Sequence, residues 1–193
     1  LDHRINLRGI PIDIDAMKAA MAHVEELARC RGESLTKLTG MTKPTPQELL
    51  QWLRRVGYRY HDLSKHHINA ALVAARTPRL QQALRLRQDI SRTALDKFGA
   101  VDRAVSKDCR LRGMLRFSGA SRTRRWSGQI LQPHNLPLPP KALVTLASDI
   151  ADKLPHLDFD DLEALPGGAA DALTAVICPI IAAPPGKLLA DAD

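Results

Sequence analysis

Apolar residues recur at helical spacing through most of the first hundred residues. The pattern predicts a helix over 13–28, a weaker helical turn beyond Gly32 that ends at residue 40, and a helix over 46–57. Two more helices are predicted over 64–75 and 78–98. Side chains suited to cap these helices precede them, namely Asp13 or Asp15, Thr45 in the capping box Thr45-Pro46-Gln47-Glu48, and Thr77 before Pro78.

The pattern changes after residue 109. Residues 110–118 mix polar and apolar side chains as a strand does, and Gly119 begins a polar turn. Several prolines then keep the chain extended up to Pro140. Helices follow over 141–154, 159–165 and 169–177, and a strand is predicted over 188–192. The sequence therefore predicts an α+β fold that is predominantly helical, with a helical first part and a mixed second part.

The positive charge is concentrated in the middle of the chain. The 193 residues include 28 Lys and Arg against 21 Asp and Glu, for a net charge of +7. Residues 79–125 hold 13 basic and 4 acidic residues, whereas residues 149–193 hold 2 basic and 9 acidic residues. A segment with such a basic excess attracts polyanions, nucleic acid first among them. An arginine-rich, solvated helix face explains the charge equally well.

Composition argues against several other classes of protein. No apolar stretch approaches the roughly 20 residues that a membrane-spanning helix needs, so no membrane partner is expected. The three cysteines Cys30, Cys109 and Cys178 are far apart and form neither a zinc motif nor a disulfide framework, as expected of a cytosolic protein. His66 and His67 have no third ligand at helical spacing, so we predict no metal site there.

The most informative stretch lies between residues 116 and 137. It reads RFSGASRTRRWSG over 116–128 and QPHNLP over 132–137. This resembles the Thr-Gly-Arg-Trp-Ser-Gly … Gln-Asn-Leu-Pro signature of family A DNA polymerases, the DNA polymerase I family, in its bacteriophage form. Other family landmarks have similar stretches in the same order here, NLRGIPID at 6–13, QELLQWL at 47–53, LRQDISRT at 86–93 and LLADAD at 188–193.

The resemblance implies a domain organisation. Residues 1–108 would form the helical thumb, and residues 109–193 would form the start of the palm. Within the palm, the signature over 110–137 would be strand and loop, the helices would follow over 141–177, and the strand of motif A would occupy 187–193. The chain is then expected to be a fragment of a DNA-directed DNA polymerase, inactive by itself, from a bacterial cytoplasm or a phage-infected host.

The resemblance also implies a catalytic metal site. Asp193 matches the first palm aspartate, a catalytic residue that binds one of two Mg²⁺ ions in nucleotidyl transfer. The second metal-binding aspartate and the helix that binds deoxynucleoside triphosphates would belong to the full-length parent.

The implied DNA contacts concern the primer–template duplex. Arg125 would reach the minor groove near the primer terminus, where the acceptors are common to all correct base pairs. Arg87 and Arg92 would contact the duplex backbone. The other positions that the resemblance assigns to DNA are Thr123, Arg124, Gln132 and Asn135.

Four positions depart from the family signature, namely Arg124 in place of glycine, Gln129 and Leu138 in place of arginine, and His134 in place of glutamine. If position 124 requires a positive φ, arginine strains the turn there. The milder interpretation is that Arg124 adds a phosphate contact. Two alternatives therefore stay open, a decayed prophage polymerase and a non-catalytic helical protein that binds nucleic acid.

Overall fold

The computed structural model describes residues 2–92, 94–132, 136 and 138–181. These residues fall into two compact units. The first unit combines the start of the chain, up to Val24, with the described residues that follow position 93, and the second unit is Glu25–Arg92. The fold is α+β and predominantly helical, as predicted. In the described part of the chain, no helix has the length and apolar character needed to cross a membrane.

The described secondary structure consists mainly of helices with four two-residue strands. The helices are α1 (Asp2–Arg8), α2 (Ile14–Thr39), α3 (Pro46–Arg55), α4 (Lys65–Ala74), α5 (Pro78–Ile90), α6 (Asp96–Ala104), α7 (Ala147–Lys153), α8 (Phe159–Ala164) and α9 (Gly168–Ala175), with 3-10 turns at Lys141–Leu143 and Leu154–His156. The strands are β1 (Ile10–Pro11), β2 (Arg110–Leu111), β3 (Leu115–Arg116) and β4 (Ser127–Gly128). β1 pairs with β2 and β3 with β4, both antiparallel.

Helix α2 is longer than the sequence predicts. It begins after Asp13, whose carboxylate accepts a hydrogen bond from the Ala16 amide at 3.0 Å, and continues without a break through Gly32. A single glycine costs a helix only about 1 kcal/mol relative to alanine. Leu27 and Leu35 are both buried on either side of Gly32. Their burial offsets that cost, so the predicted weakening at Gly32 is wrong.

The cap of α3 is confirmed, whereas the cap predicted for α5 is not. The Glu48 amide donates to Thr45 Oγ1 at 3.3 Å, and the Thr45 amide donates to Glu48 Oε2 at 2.8 Å. These two bonds satisfy amides that the first turn of α3 leaves unpaired. At α5, Thr77 makes no side-chain capping bond, and Pro78 alone begins the helix.

The helix predicted over 78–98 is interrupted. α5 ends at Ile90 and α6 begins only at Asp96. At the end of α5 the Ser91 hydroxyl donates to the Gln88 carbonyl oxygen at 3.3 Å. Serine competes in this way with the continuing helical hydrogen bonds. The apolar periodicity therefore spans two helices, with Leu84 buried in one and Phe98 in the other.

Two further predictions were wrong in extent. The strand predicted over 110–118 is divided into β2 and β3, because Gly113 between them has a φ of +68°. Glycine adopts that conformation readily, and the bend lets each strand pair with a different partner. The helix predicted over 141–154 is a 3-10 turn followed by α7 and a second 3-10 turn.

Each unit has its own buried core. In the second unit, Leu53 and Leu84 are fully buried in a cluster that also holds Tyr58. In the first unit, Met17, Leu111 and Leu173 are completely inaccessible, and α8 packs against α9.

The division into a thumb over 1–108 and a palm from 109 onward assigns functions to parts of the chain. This division stays a prediction. The strand predicted for motif A, over 187–193, lies outside the described residues.

Candidate nucleic-acid interface

The stretch that carries the strongest sequence motif folds as a hairpin. Leu115 pairs with Gly128 and Arg116 with Ser127, which joins β3 to β4. The connecting loop is closed by backbone hydrogen bonds from the Ala120 amide to the Arg125 oxygen at 3.2 Å and from the Arg124 amide to the Ala120 oxygen at 2.8 Å. We refer to residues 115–128 as the arginine hairpin.

Four arginines of the hairpin are exposed, namely Arg116, Arg122, Arg124 and Arg125. Within the described part of the chain, their guanidinium groups make no hydrogen bond or ion pair. Charges that are not neutralised by neighbouring carboxylates remain available to an anionic ligand. Thr123 is also exposed on this loop, so the structure brings together three of the predicted DNA contacts, Thr123, Arg124 and Arg125.

Two aromatic side chains accompany these arginines. Phe117 is 65% exposed and Trp126 is 42% exposed, and their ring centroids lie 5.3 Å apart in an edge-to-face arrangement. Exposed rings beside arginines are typical of surfaces that bind nucleic acid, because rings stack on bases while guanidinium groups contact phosphates. Sequence reasoning did not assign Arg116, Arg122 or Phe117 to the interface, although the dense run of arginines was a signal for the first two.

The base of the arginine hairpin, by which we mean Leu115 and the segment 110–114 that leads into it, is held by the N-terminal segment. Asn6 acts like a neighbouring strand, since its Nδ2 donates to the Leu115 oxygen at 2.7 Å and its Oδ1 accepts from the Leu115 amide at 3.0 Å. Arg110 Nε donates to the Arg8 oxygen at 2.6 Å, and Arg112 Nε donates to the Leu7 oxygen at 2.8 Å. These bonds satisfy carbonyl groups that the end of α1 leaves unpaired.

Arg112 is engaged further by an acidic neighbour. Its Nη1 and Nη2 atoms lie 2.8 and 2.6 Å from the two carboxylate oxygens of Asp108. The hydrogen bonds from Arg112 lower the pKa of Asp108. Lys97 is also engaged, because its Nζ donates to the Leu131 oxygen at 3.0 Å. Several cations of the basic segment therefore form hydrogen bonds within the protein. The cations of the exposed loop form no such bonds among the described residues.

Position 124 does adopt the left-handed conformation. Arg124 has a φ of +55°. A residue with a Cβ pays of the order of 1–2 kcal/mol for that conformation, whereas glycine does not. The condition under which arginine strains this turn is therefore met. Gly119 in the same loop is also constrained, because a Cβ there would collide with the side chain of Ser127.

The remaining predicted DNA contacts lie elsewhere. Gln132 is half-buried and follows the hairpin, with its amide bonded to the Gln129 oxygen at 3.1 Å. Arg87 and Arg92 belong to the second unit, at the end of α5, and both are half-buried. The Arg92 guanidinium lies 3.5 Å from Asp89, which also pairs with Arg31 at 3.1 Å.

Two predicted site residues, Asn135 and Asp193, and the departure at His134 lie outside the described residues. The contacts assigned to these positions therefore stay predictions.

One group of potential metal ligands occurs among the described residues, and it lies outside the arginine hairpin. One ligand atom from each of His61, Asp62 and His67 lies within 4.8 Å of the others. The prediction of no metal site at His66 and His67 considered only helical spacing. It overlooked His61 and Asp62, which lie in the loop before α4 and close to the side chain of His67.

Comparison with known proteins finds a phage relative. The chain is 38% identical over 138 residues to a DNA polymerase of Bacillus phage SP02. The alignment covers 71% of this chain but only 21% of the phage protein. The chain therefore spans about a fifth of the length of that relative. No family model matches the chain, and no solved structure matches it.

Proposed function

We propose that the chain is part of a phage-type DNA polymerase of family A and that it holds the primer–template duplex. The observation that carries this proposal is the 38% identity to the phage SP02 DNA polymerase over 138 residues. The arginine hairpin supports it, because the segment that resembles the family signature presents exposed arginines without protein partners among the described residues. A polymerase of this kind would act in the cytoplasm of the infected bacterium.

The hairpin residues would divide the work of holding DNA. Arg125 would donate hydrogen bonds to the minor-groove acceptors that all correct base pairs share, and this contact does not depend on sequence. Arg116, Arg122 and Arg124 would contact phosphates and position the duplex. Sequence-independent contacts of both kinds suit an enzyme that copies any template.

The predicted contacts outside the hairpin remain part of the proposal. Arg87 would contact the duplex backbone more readily than Arg92, because the guanidinium of Arg92 pairs with Asp89. Thr123, Gln132 and Asn135 would lie beside the template and primer.

Catalysis would belong to the full-length parent. Asp193 would supply one carboxylate to the Mg²⁺ pair, and when bound, these ions activate the primer hydroxyl and stabilise the leaving pyrophosphate. Deoxynucleoside triphosphates would be partners of the full-length parent. The chain alone would bind DNA without extending it.

The binding proposal is tested by substitution of Arg125 with alanine. The unmodified chain should bind a primer–template duplex with an affinity that falls steeply with salt, as measured by fluorescence anisotropy. Arg125→Ala should weaken binding in the chain and lower primer extension in the full-length parent. Arg79→Ala is the control, because Arg79 already donates to the Leu38 oxygen at 3.1 Å and lies 5.2 Å over the Trp52 ring.

The outcomes separate the alternatives. Equal effects of Arg125→Ala and Arg79→Ala would remove Arg125 from the interface. Binding that does not respond to salt would contradict the electrostatic role of the hairpin. A full-length parent that binds duplex but never extends a primer would instead support the decayed polymerase or the non-catalytic binding protein.

A further inference from the structure

A compact group of nitrogen and oxygen ligands lies in the second unit, between α3 and the first turn of α4. The Asp62 carboxylate lies between two imidazoles, with Oδ1 at 2.7 Å from His67 Nδ1 and Oδ2 at 3.2 Å from His61 Nε2. His61 and Asp62 come from the loop, and His67 comes from the start of α4. The three side chains therefore converge without any sequence motif at regular spacing.

Neighbouring groups fix Asp62 in this position. Its Oδ1 also accepts a hydrogen bond from the Ser64 amide at 2.9 Å. Its backbone oxygen accepts from the hydroxyl of Tyr58 at 2.7 Å, and Tyr58 is anchored in the core with only 3% of its surface exposed.

His67 is supported in the same way. The Tyr60 ring stacks on its imidazole, with centroids 4.6 Å apart and planes inclined by 19°. The side chain of Ser64 caps α4 by accepting from the His67 amide at 3.5 Å, which fixes the helix end from which the imidazole projects. Partners that orient ligating side chains are a regular feature of metal sites in proteins.

We propose that His61, Asp62 and His67 bind a borderline divalent transition metal such as Zn²⁺. Two imidazoles and one carboxylate form a ligand set that suits Zn²⁺, whereas Mg²⁺ prefers oxygen ligands only. Three protein ligands would leave the fourth tetrahedral position to water. This site is separate from the Mg²⁺ pair of the proposed polymerase and does not rest on that function.

Metal binding requires the three ligand atoms to change their separations. Zinc–ligand bonds of about 2.0–2.2 Å in a tetrahedral site place neighbouring ligand atoms roughly 3.4 Å apart. The Asp62 oxygens lie 2.7 Å from His67 Nδ1 and 3.2 Å from His61 Nε2, and one ligand atom from each residue lies within 4.8 Å of the others. A metal ion placed between these atoms would bring the three ligands to a common spacing. His61 is the most mobile candidate for the adjustment, because 78% of its side chain is exposed.

The experiment is a titration of the chain with Zn²⁺ by isothermal calorimetry, with Co²⁺ as a spectroscopic probe. One Zn²⁺ per chain is expected, and bound Co²⁺ should show the visible absorption of a tetrahedral site. Asp62→Asn and His61→Ala should each reduce the affinity at least tenfold. His61→Ala removes an exposed ring and leaves the core contacts of Tyr58 intact. A loss of Zn²⁺ affinity in this variant would therefore reflect the missing ligand and not unfolding.

The matched control is His66→Ala. His66 is exposed and adjacent to His67, and the two ring centroids lie 5.7 Å apart, but His66 is not one of the three clustered ligands. This variant should bind Zn²⁺ as the unmodified chain does. The proposal is overturned if the unmodified chain takes up no Zn²⁺. It is overturned equally if Asp62→Asn and His61→Ala leave the affinity unchanged, or if His66→Ala weakens binding as much as they do.

Discussion

The base and the loop of the arginine hairpin use the same residue type for different purposes. At the base, Arg110 and Arg112 donate to backbone oxygens of the N-terminal segment, and Arg112 also pairs with Asp108. In the loop, Arg124 and Arg125 are exposed and make no such contacts within the described residues. The net charge of a segment is therefore larger than the charge that it offers to a ligand. Some of its cations are already bound to backbone oxygens or carboxylates of the protein itself.

The largest expected effect concerns Gly9, in the N-terminal segment that packs against the base of the arginine hairpin. Gly9 has a φ of +66°, and a Cβ there would lie 2.7 Å from the Leu111 oxygen and 2.8 Å from Arg112 Cγ. Gly9→Ala combines backbone strain with a collision, and we expect the free energy of unfolding to fall by about 2–5 kcal/mol. Urea denaturation followed by circular dichroism measures this change.

Gly32→Ala is the control for Gly9→Ala. Gly32 lies within α2, and a Cβ at this position would meet no described atom within 4 Å, so alanine should raise the stability by about 1 kcal/mol. If both substitutions shifted the urea midpoint in the same direction, the base of the hairpin would not be the constrained region that its contacts indicate.

A smaller loss is expected from Asn6→Ala. This change removes both hydrogen bonds between Asn6 and the backbone of Leu115. We expect a cost of about 1–3 kcal/mol, because the peptide groups of Leu115 lose partners at a half-buried edge. Hydrogen exchange should show a faster Leu115 amide in the variant.

Asn69→Ala provides the comparison for Asn6→Ala. Asn69 accepts a single exposed hydrogen bond from Gln88 at 3.1 Å, so its loss should change stability by less than about 0.5 kcal/mol. Equal losses for the two asparagines would mean that Asn6 does not hold the hairpin.

The sequence predicted those features that depend on neighbours along the chain. The capping box at Thr45 and the turn after Gly119 involve residues a few positions apart, and both are present. The division of 110–118 into two strands was not predictable from periodicity, because it depends on pairing with residues near the N-terminus and after the loop.

The same limit applies to the candidate sites. The motif identified the loop that holds Thr123 and Arg125, but it could not separate engaged arginines from available ones. The oxygens that engage Arg110 and Arg112 lie about a hundred positions earlier in the chain. The two potential ligands near His67, His61 and Asp62, were missed because both precede α4 and do not share its periodicity.

The smallest effects separate the two roles that Arg124 could have. Arg124→Gly and Arg122→Gly each remove one exposed charge from the same loop, but only Arg124 of these two has a positive φ. Arg124→Gly should therefore raise stability by about 1 kcal/mol, whereas Arg122→Gly should lower it slightly, because glycine loses more conformational freedom on folding. Thermal unfolding of the two variants side by side measures this difference.

Binding to duplex DNA provides the second half of this test. If both arginines contact phosphates, each substitution should reduce the slope of log affinity against log salt by about 0.9. Arg124→Gly would then be more stable and bind more weakly, which assigns both backbone strain and a phosphate contact to one residue. An unchanged slope for Arg124→Gly, together with a reduced slope for Arg122→Gly, would leave Arg124 with strain alone and would confine the DNA contacts to the rest of the loop.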